Sequence, residues 1–175
     1  MKRIMILGCC GAGKSTLSKK LSRLTNLELI HLDQHYWHPN WIETPTVEWT
    51  KIVNQLAAKP KWIIDGNYGG TVDSRLARAD TIIYLDFSTI KCLWRITKRI
   101  WKYHGQKRPD MPEGCNERFD LEFYHYVATF NIRKRKKTLQ ELDALKGTKS
   151  ILIFKNDKEV SDFLTKTNFK EYSSF

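Results

Sequence analysis

The stretch Gly8-Cys9-Cys10-Gly11-Ala12-Gly13-Lys14-Ser15-Thr16 satisfies the pattern G-x-x-x-x-G-K-[ST] at every fixed position. It constrains the fold more than any other feature of the chain, because such a loop works only between a buried strand and a helix. Its glycines let the backbone turn tightly, so that successive N–H groups point inward at phosphate oxygens. The helix that follows adds its positive end. Both flanks fit: Arg3 to Leu7 is an apolar run suited to a central parallel strand, and a helix is expected from about Lys14 to Leu24. Gly8, Gly11, Ala12, Gly13, Lys14, Ser15 and Thr16 are therefore expected to hold the phosphates of a nucleotide. In that setting Lys14 reaches the β- and γ-phosphates, and the Ser15 hydroxyl ligates Mg2+.

Strand and helix signals alternate downstream. Leu27 to Leu32, Trp62 to Ile64, Thr81 to Leu85 and Ile151 to Phe154 read as strands. Helices are expected from Thr44-Pro45 to about Ala58, with Thr44 as the cap, from Ser88 or Thr89 to Tyr103, and from Leu121 to Leu145. Asn156 and Glu159 form a capping-box pattern for a final helix. This alternation predicts an α/β fold, a single domain with a parallel sheet covered on both faces. The segment of about 33–60 reads as an acceptor-binding flap, opening with an aromatic-rich loop from Asp33 to Trp41. The Gly- and Pro-containing loop of about 104–118, between two long helices, reads as a lid.

Lys and Arg number 30 against 19 Asp and Glu, a net charge of +11, so a phosphate ligand, nucleic acid or an anionic surface is needed to balance it. The four cysteines make no C-x-x-C pair, which gives no support for a zinc ribbon or redox motif. No run is long enough to span a membrane, and the apolar start leads into Gly-Lys-Ser-Thr rather than a cleavage site, so a cytoplasmic chain is expected.

Three further segments carry chemistry. Asp33, in His31-Leu32-Asp33-Gln34-His35-Tyr36-Trp37, falls just past the second strand, where ligands of open parallel sheets bind. A carboxylate there can take the proton of an attacking hydroxyl and aim it at the γ-phosphate. Tyr36, Trp37 and Trp41 either floor a pocket for a planar ring or form a small core under the flap. Asp65, ending an apolar strand, is the expected second Mg2+ group, and Gly66 and Asn67 beside it are expected at the acceptor. Lys91, Arg95 and Arg99 recur every four residues on one helix face, which makes sense if an anion lies against them. Arg95 and Arg99 are candidates to neutralise a transferring phosphoryl group, with Arg108 joining at the nucleotide from the lid. The run Arg133 to Lys137 allows non-specific nucleic-acid contact.

As a set, GCCGAGKST, HLDQHYWHPNW, WIIDGNY, LWRITKR and RPDMPEGC resemble the FlaR-like topology modulation proteins, relatives of adenylate kinase and other small P-loop kinases. The resemblance implies a five-stranded parallel P-loop NTPase core of strand order 2-3-1-4-5, ATP and Mg2+ as cofactors, and an effect on DNA supercoiling. One departure stands out. Adenylate kinases carry Asp-Gly-Phe-Pro-Arg where this chain has Asp65-Gly66-Asn67-Tyr68-Gly69, so the arginine that would grip an acceptor phosphate is missing. Arg75 or Arg78 is the expected substitute. Asp33 resembles the acid with which nucleoside and shikimate-type kinases engage a hydroxyl. The expected activity is ATP-dependent phosphoryl transfer to a small hydroxyl-bearing acceptor. Nucleoside monophosphate kinase activity and ATP-switched nucleic-acid binding are the alternatives.

Overall fold

A computed structural model describes residues 1–167 and Phe169. Five apolar segments form one parallel sheet: β1 (Arg3–Gly8), β2 (Leu29–His31), β3 (Trp62–Asp65), β4 (Thr81–Leu85) and β5 (Ser150–Phe154). From edge to edge they lie β2, β3, β1, β4, β5, the order 2-3-1-4-5. The strands are apolar on both faces, as a sheet covered on both sides requires. Ile4, Ile6, Ile63 and Ile83 pack with Leu17, Leu21, Ile96 and Ile100 on one side. Met5, Leu7, Ile64 and Ile82 pack with Trp49, Val53 and Leu142 on the other.

The helices are α1 (Lys14–Thr25), α2 (Leu32–Tyr36), α3 (Thr46–Ala58), α4 (Val72–Arg78), α5 (Thr89–Tyr103), α6 (Leu121–Phe130), α7 (Lys136–Ala144) and α8 (Asp157–Lys166). No helix among the described residues is long and apolar enough to cross a membrane.

Three local expectations are corrected. The stretch after β2, expected as a loop, opens with the short α2 and continues as a two-stranded ribbon pairing Trp37–His38 with Ile42–Glu43. Thr44 does not cap α3: its hydroxyl donates to the carbonyl of Tyr36 at 2.6 Å, and the helix starts at Thr46 behind Pro45. The helix expected over Leu121 to Leu145 is interrupted by a π-helical segment, Asn131–Arg135, and ends at Ala144. There the Asn131 side chain donates to Phe87 O at 3.0 Å and Arg135 pairs with Asp86 at 2.6 Å, two tertiary bonds that draw this turn toward the end of β4.

The last helix starts as its sequence pattern predicts. The Glu159 N–H donates to Asn156 Oδ1 at 2.9 Å, and the Glu159 carboxylate accepts the Lys155 N–H at 2.6 Å. Replacing Asn156 by alanine is expected to lower unfolding free energy by about 1 kcal/mol in a denaturant titration.

Candidate active site

The C-terminal ends of β1, β2 and β3 meet where Gly8, His31 and Asp65 lie, and the site is built on that rim. The phosphate loop leaves β1 through glycines in the left-handed half of backbone space. At Gly11 (φ +81°) a Cβ would come within 2.5 Å of the Cys92 carbonyl oxygen, so α5 seats the loop by direct backbone approach. Lys14 Nζ folds back to donate to the carbonyls of Gly8 at 2.8 Å and Cys9 at 3.2 Å. The Asn67 amide holds Gly8 at two points: Nδ2 donates to Gly8 O at 2.9 Å, and Oδ1 accepts the Gly8 N–H at 3.2 Å. Cys9 is buried, and the Cys92 side chain together with burial holds its thiol far above the ordinary range, so it stays neutral as loop packing.

Asp65 is buried at the end of β3. The Ser18 hydroxyl of α1 donates to its Oδ2 at 2.6 Å, and His31 Nδ1 lies 2.9 Å from both of its oxygens. Ser15, half-buried one turn before Ser18, supplies a hydroxyl at the head of α1. Among the described residues no cluster of three His, Cys, Asp or Glu side chains could enclose a metal. A hydroxyl and a carboxylate, both oxygen donors and few in number, suit Mg2+ carried with nucleotide phosphates and water. With both Asp65 oxygens engaged by protein, the carboxylate would hold the ion through water.

On the acceptor side, Asp33 sits in the first turn of α2, and Tyr68 OH donates to its Oδ1 at 2.6 Å. Burial, with Asp33 beside it, pushes the Tyr68 phenol far above its ordinary value, so it remains a donor. Tyr36, Trp49 and Tyr68 pack on one another with ring centroids 4.7–4.9 Å apart. Trp37 stacks edge-on to Tyr36 at 5.0 Å and to Trp41 at 5.4 Å. These aromatics are in mutual contact, the arrangement expected of a core under the flap. Tyr126 of α6, packed edge-on to Phe130, lies near Asn67 and Cys10. Its phenol is raised to about 12, chiefly by burial and by Cys10, with the nearby Asn67 side chain acting in the opposite direction.

The loop 104–118 lies down on this site. Gln34 Nε2 donates to Pro109 O at 3.4 Å, the Asn40 N–H to Gly114 O at 3.1 Å, and Trp41 Nε1 to Asn116 O at 3.1 Å. Gly114 (φ +77°) is packed so closely that a Cβ would lie 2.8 Å from Pro39 Cβ. Asp110 lies close to Ser15 at the head of α1. Burial raises its carboxyl, but Arg108, the Ser15 hydroxyl and Lys19 outweigh that and hold it below the usual range.

The basic residues expected at the phosphates all have protein partners. Lys91 and Arg95 share the carboxylate of Asp157, each at 2.6 Å, and Arg95 Nη1 also donates to the Ala12 carbonyl at 3.3 Å. Arg99 donates to Glu117 at 2.8 Å. Arg108 lies 2.6 Å from the second Glu117 oxygen without hydrogen-bond alignment, and 3.1 Å from Asp110. The anions against the basic face of α5 are thus two protein carboxylates. Arg75 requires a plain correction. Expected at the acceptor, it is wholly buried, and its guanidinium donates to the carbonyls of Gly66 (2.8 Å), Asn67 (2.6 Å), Tyr68 (3.0 Å) and Thr71 (3.3 Å). It holds a loop and does not face a ligand.

Sequence reading missed Tyr68, Asp110, Glu117, Asp157 and Tyr126. Tyr68 alone carried a local signal, following Asp65-Gly66-Asn67 directly.

Sheet order, phosphate loop and covering loop together define the small P-loop kinase fold. The chain is similar to shikimate kinase of Baumannia cicadellinicola subsp. Homalodisca coagulata, at 28% identity with 78% of this chain and 89% of that protein covered. The solved shikimate kinase of Acinetobacter baumannii, in complex with shikimate, superposes with a TM-score of 0.62 at 18% identity, covering 95% of this chain and 90% of that one. A gluconokinase from Sinorhizobium meliloti 1021 superposes at 0.51 with 13% identity, over 98% and 95% of the two chains. No family model matches the sequence.

Proposed function

We propose that this chain is an ATP-dependent kinase that moves the γ-phosphoryl group of ATP to a hydroxyl of a small molecule. The observation that carries the reading is Asp33, a carboxylate held at 2.6 Å by the hydroxyl of the half-buried Tyr68, whose neighbour Asn67 grips Gly8 of the phosphate loop. A hydroxyl bonded to that carboxylate loses its proton to it as the oxygen attacks the γ-phosphorus. Lys14 leaves the Gly8 and Cys9 carbonyls for the phosphates, and the loop N–H groups complete the cradle. Ser15 and Asp65 would hold Mg2+, which screens the phosphate charge when bound. Arg95, Arg99 and Arg108, paired with Asp157, Glu117 and Asp110 in this structure, would have to leave those carboxylates to meet the phosphates, with the loop 104–118 excluding water as a lid. The likeness to shikimate kinase supports a hydroxyl acceptor.

A monophosphate acceptor needs a cation for its phosphate. Gly69 stands where that arginine would be; of the two expected substitutes, Arg75 is buried on backbone carbonyls and Arg78 is exposed in the last turn of α4. ADP release from Mg·ATP, measured across nucleosides, shikimate, sugar acids, other small alcohols and nucleoside monophosphates, checks this directly. Stimulation of at least about tenfold is expected with an alcohol class and little with monophosphates. Stimulation by monophosphates alone would reverse the assignment.

The resemblance to FlaR-like topology modulation proteins supports a second reading, nucleic-acid binding switched by ATP. Arg133, Lys134, Lys136 and Lys137 are exposed on the π-helical segment and the start of α7, as a phosphate-backbone contact requires. Duplex affinity that changes with bound nucleotide would favour it, whereas affinity governed by salt alone would reflect only net charge.

A further inference from the structure

Arg75 has no carboxylate partner among the described residues, yet it is fully buried and makes four bonds to backbone oxygens. Burial lowers its guanidinium to about 10, so it is still charged at neutral pH. A buried charge held by carbonyl dipoles alone is costly, and its effect must be sought in what those carbonyls belong to. They belong to Gly66, Asn67 and Tyr68, successive residues of one short loop, together with Thr71. Tyr68 stands at φ +34°, a left-handed conformation that a bulky side chain adopts only when its surroundings impose it. Each held residue has a task. Asn67 grips Gly8 at both its N–H and its carbonyl. Tyr68 donates to Asp33 Oδ1, which leaves Oδ2 without a hydrogen-bond partner among the described residues.

We propose that Arg75 is a positioning residue for phosphoryl transfer: by gripping the loop Gly66–Tyr68 it fixes Asp33 and the first residue of the phosphate loop relative to each other. Two consequences follow. Tyr68 occupies Oδ1, so the acceptor meets one defined oxygen of Asp33. Asn67 shares the Gly8 carbonyl with Lys14, so that carbonyl stays bonded when the lysine moves to a phosphate. The inference rests on the kinase reading for the Asp33 arm and is independent of it for the Gly8 arm.

Four variants test it: Tyr68→Phe, Asn67→Ala, Arg75→Lys and the double variant Arg75→Lys/Tyr68→Phe. Lysine keeps the charge but cannot present a planar fork to several carbonyls. Mg·ATP affinity, titrated without acceptor, should fall about tenfold in Asn67→Ala and Arg75→Lys and stay unchanged in Tyr68→Phe. With an acceptor from the panel, kcat should fall about 10- to 100-fold in Tyr68→Phe and Arg75→Lys while acceptor KM moves little. The double variant should match Arg75→Lys within about twofold, because both changes act through one contact. Full kcat in Tyr68→Phe, or multiplying losses in the double variant, would overturn the Asp33 arm. Unchanged ATP affinity in Asn67→Ala would overturn the Gly8 arm. If Arg75→Lys does not fold, those two single variants still decide. If no compound accepts phosphate, the kinase reading fails while the ATP titration still judges the Gly8 arm.

Discussion

The Asp33→Asn variant is expected to lose about 10²- to 10⁴-fold in kcat, with Mg·ATP affinity within about twofold of the parent protein. Asparagine keeps the size of the side chain and can still accept the Tyr68 hydroxyl at Oδ1. It cannot take a proton, so the loss isolates that one chemical step. Steady-state kinetics with an accepted alcohol and a separate nucleotide titration make the measurement. An unimpaired kcat would remove Asp33 from the reaction and leave it as a partner of Tyr68.

Lys14→Met is expected to lose about 10³-fold in kcat and to weaken Mg·ATP binding as well. Methionine fills the same linear volume but gives up the only side-chain cation the phosphate loop itself carries. In the present structure Lys14 Nζ lies on the Gly8 and Cys9 carbonyls, and Asn67 still bonds Gly8 after the ammonium is gone. The variant should therefore fold with stability near the parent, which thermal unfolding without nucleotide checks. A large drop in melting temperature would instead make Lys14 a structural tie of the loop.

What the sequence discloses and what it hides divide along physical lines. The phosphate loop is legible because its geometry demands glycine at left-handed positions within a few residues. The strands are legible because a sheet buried on both faces must be apolar throughout. The Asn156 cap is legible because its partners lie within four residues. The partners of the arginines are not. Arg95 meets Asp157 62 residues on, and Arg99 meets Glu117 18 residues on, so the spacing of α5 announces a need for anions without saying that the protein itself supplies them. Arg75 misleads for a different reason: its partners are close in sequence but are backbone oxygens, which every residue carries. The aromatics after β2 left two uses open, and only the packing of Tyr36 on Trp49 and Tyr68, residues brought from α3 and from beyond β3, shows them in contact with one another.

The loop 104–118 rests on α2 and the segment after it through Pro109, Gly114 and Asn116, and Asp110 brings it close to Ser15 at the head of α1. One cover therefore spans both halves of the crevice. On the proposed kinase reading, nucleotide and acceptor would pass under the same stretch of chain, so the entry and exit of one would be tied to the other, and turnover would follow the opening of that cover as well as the bond being made.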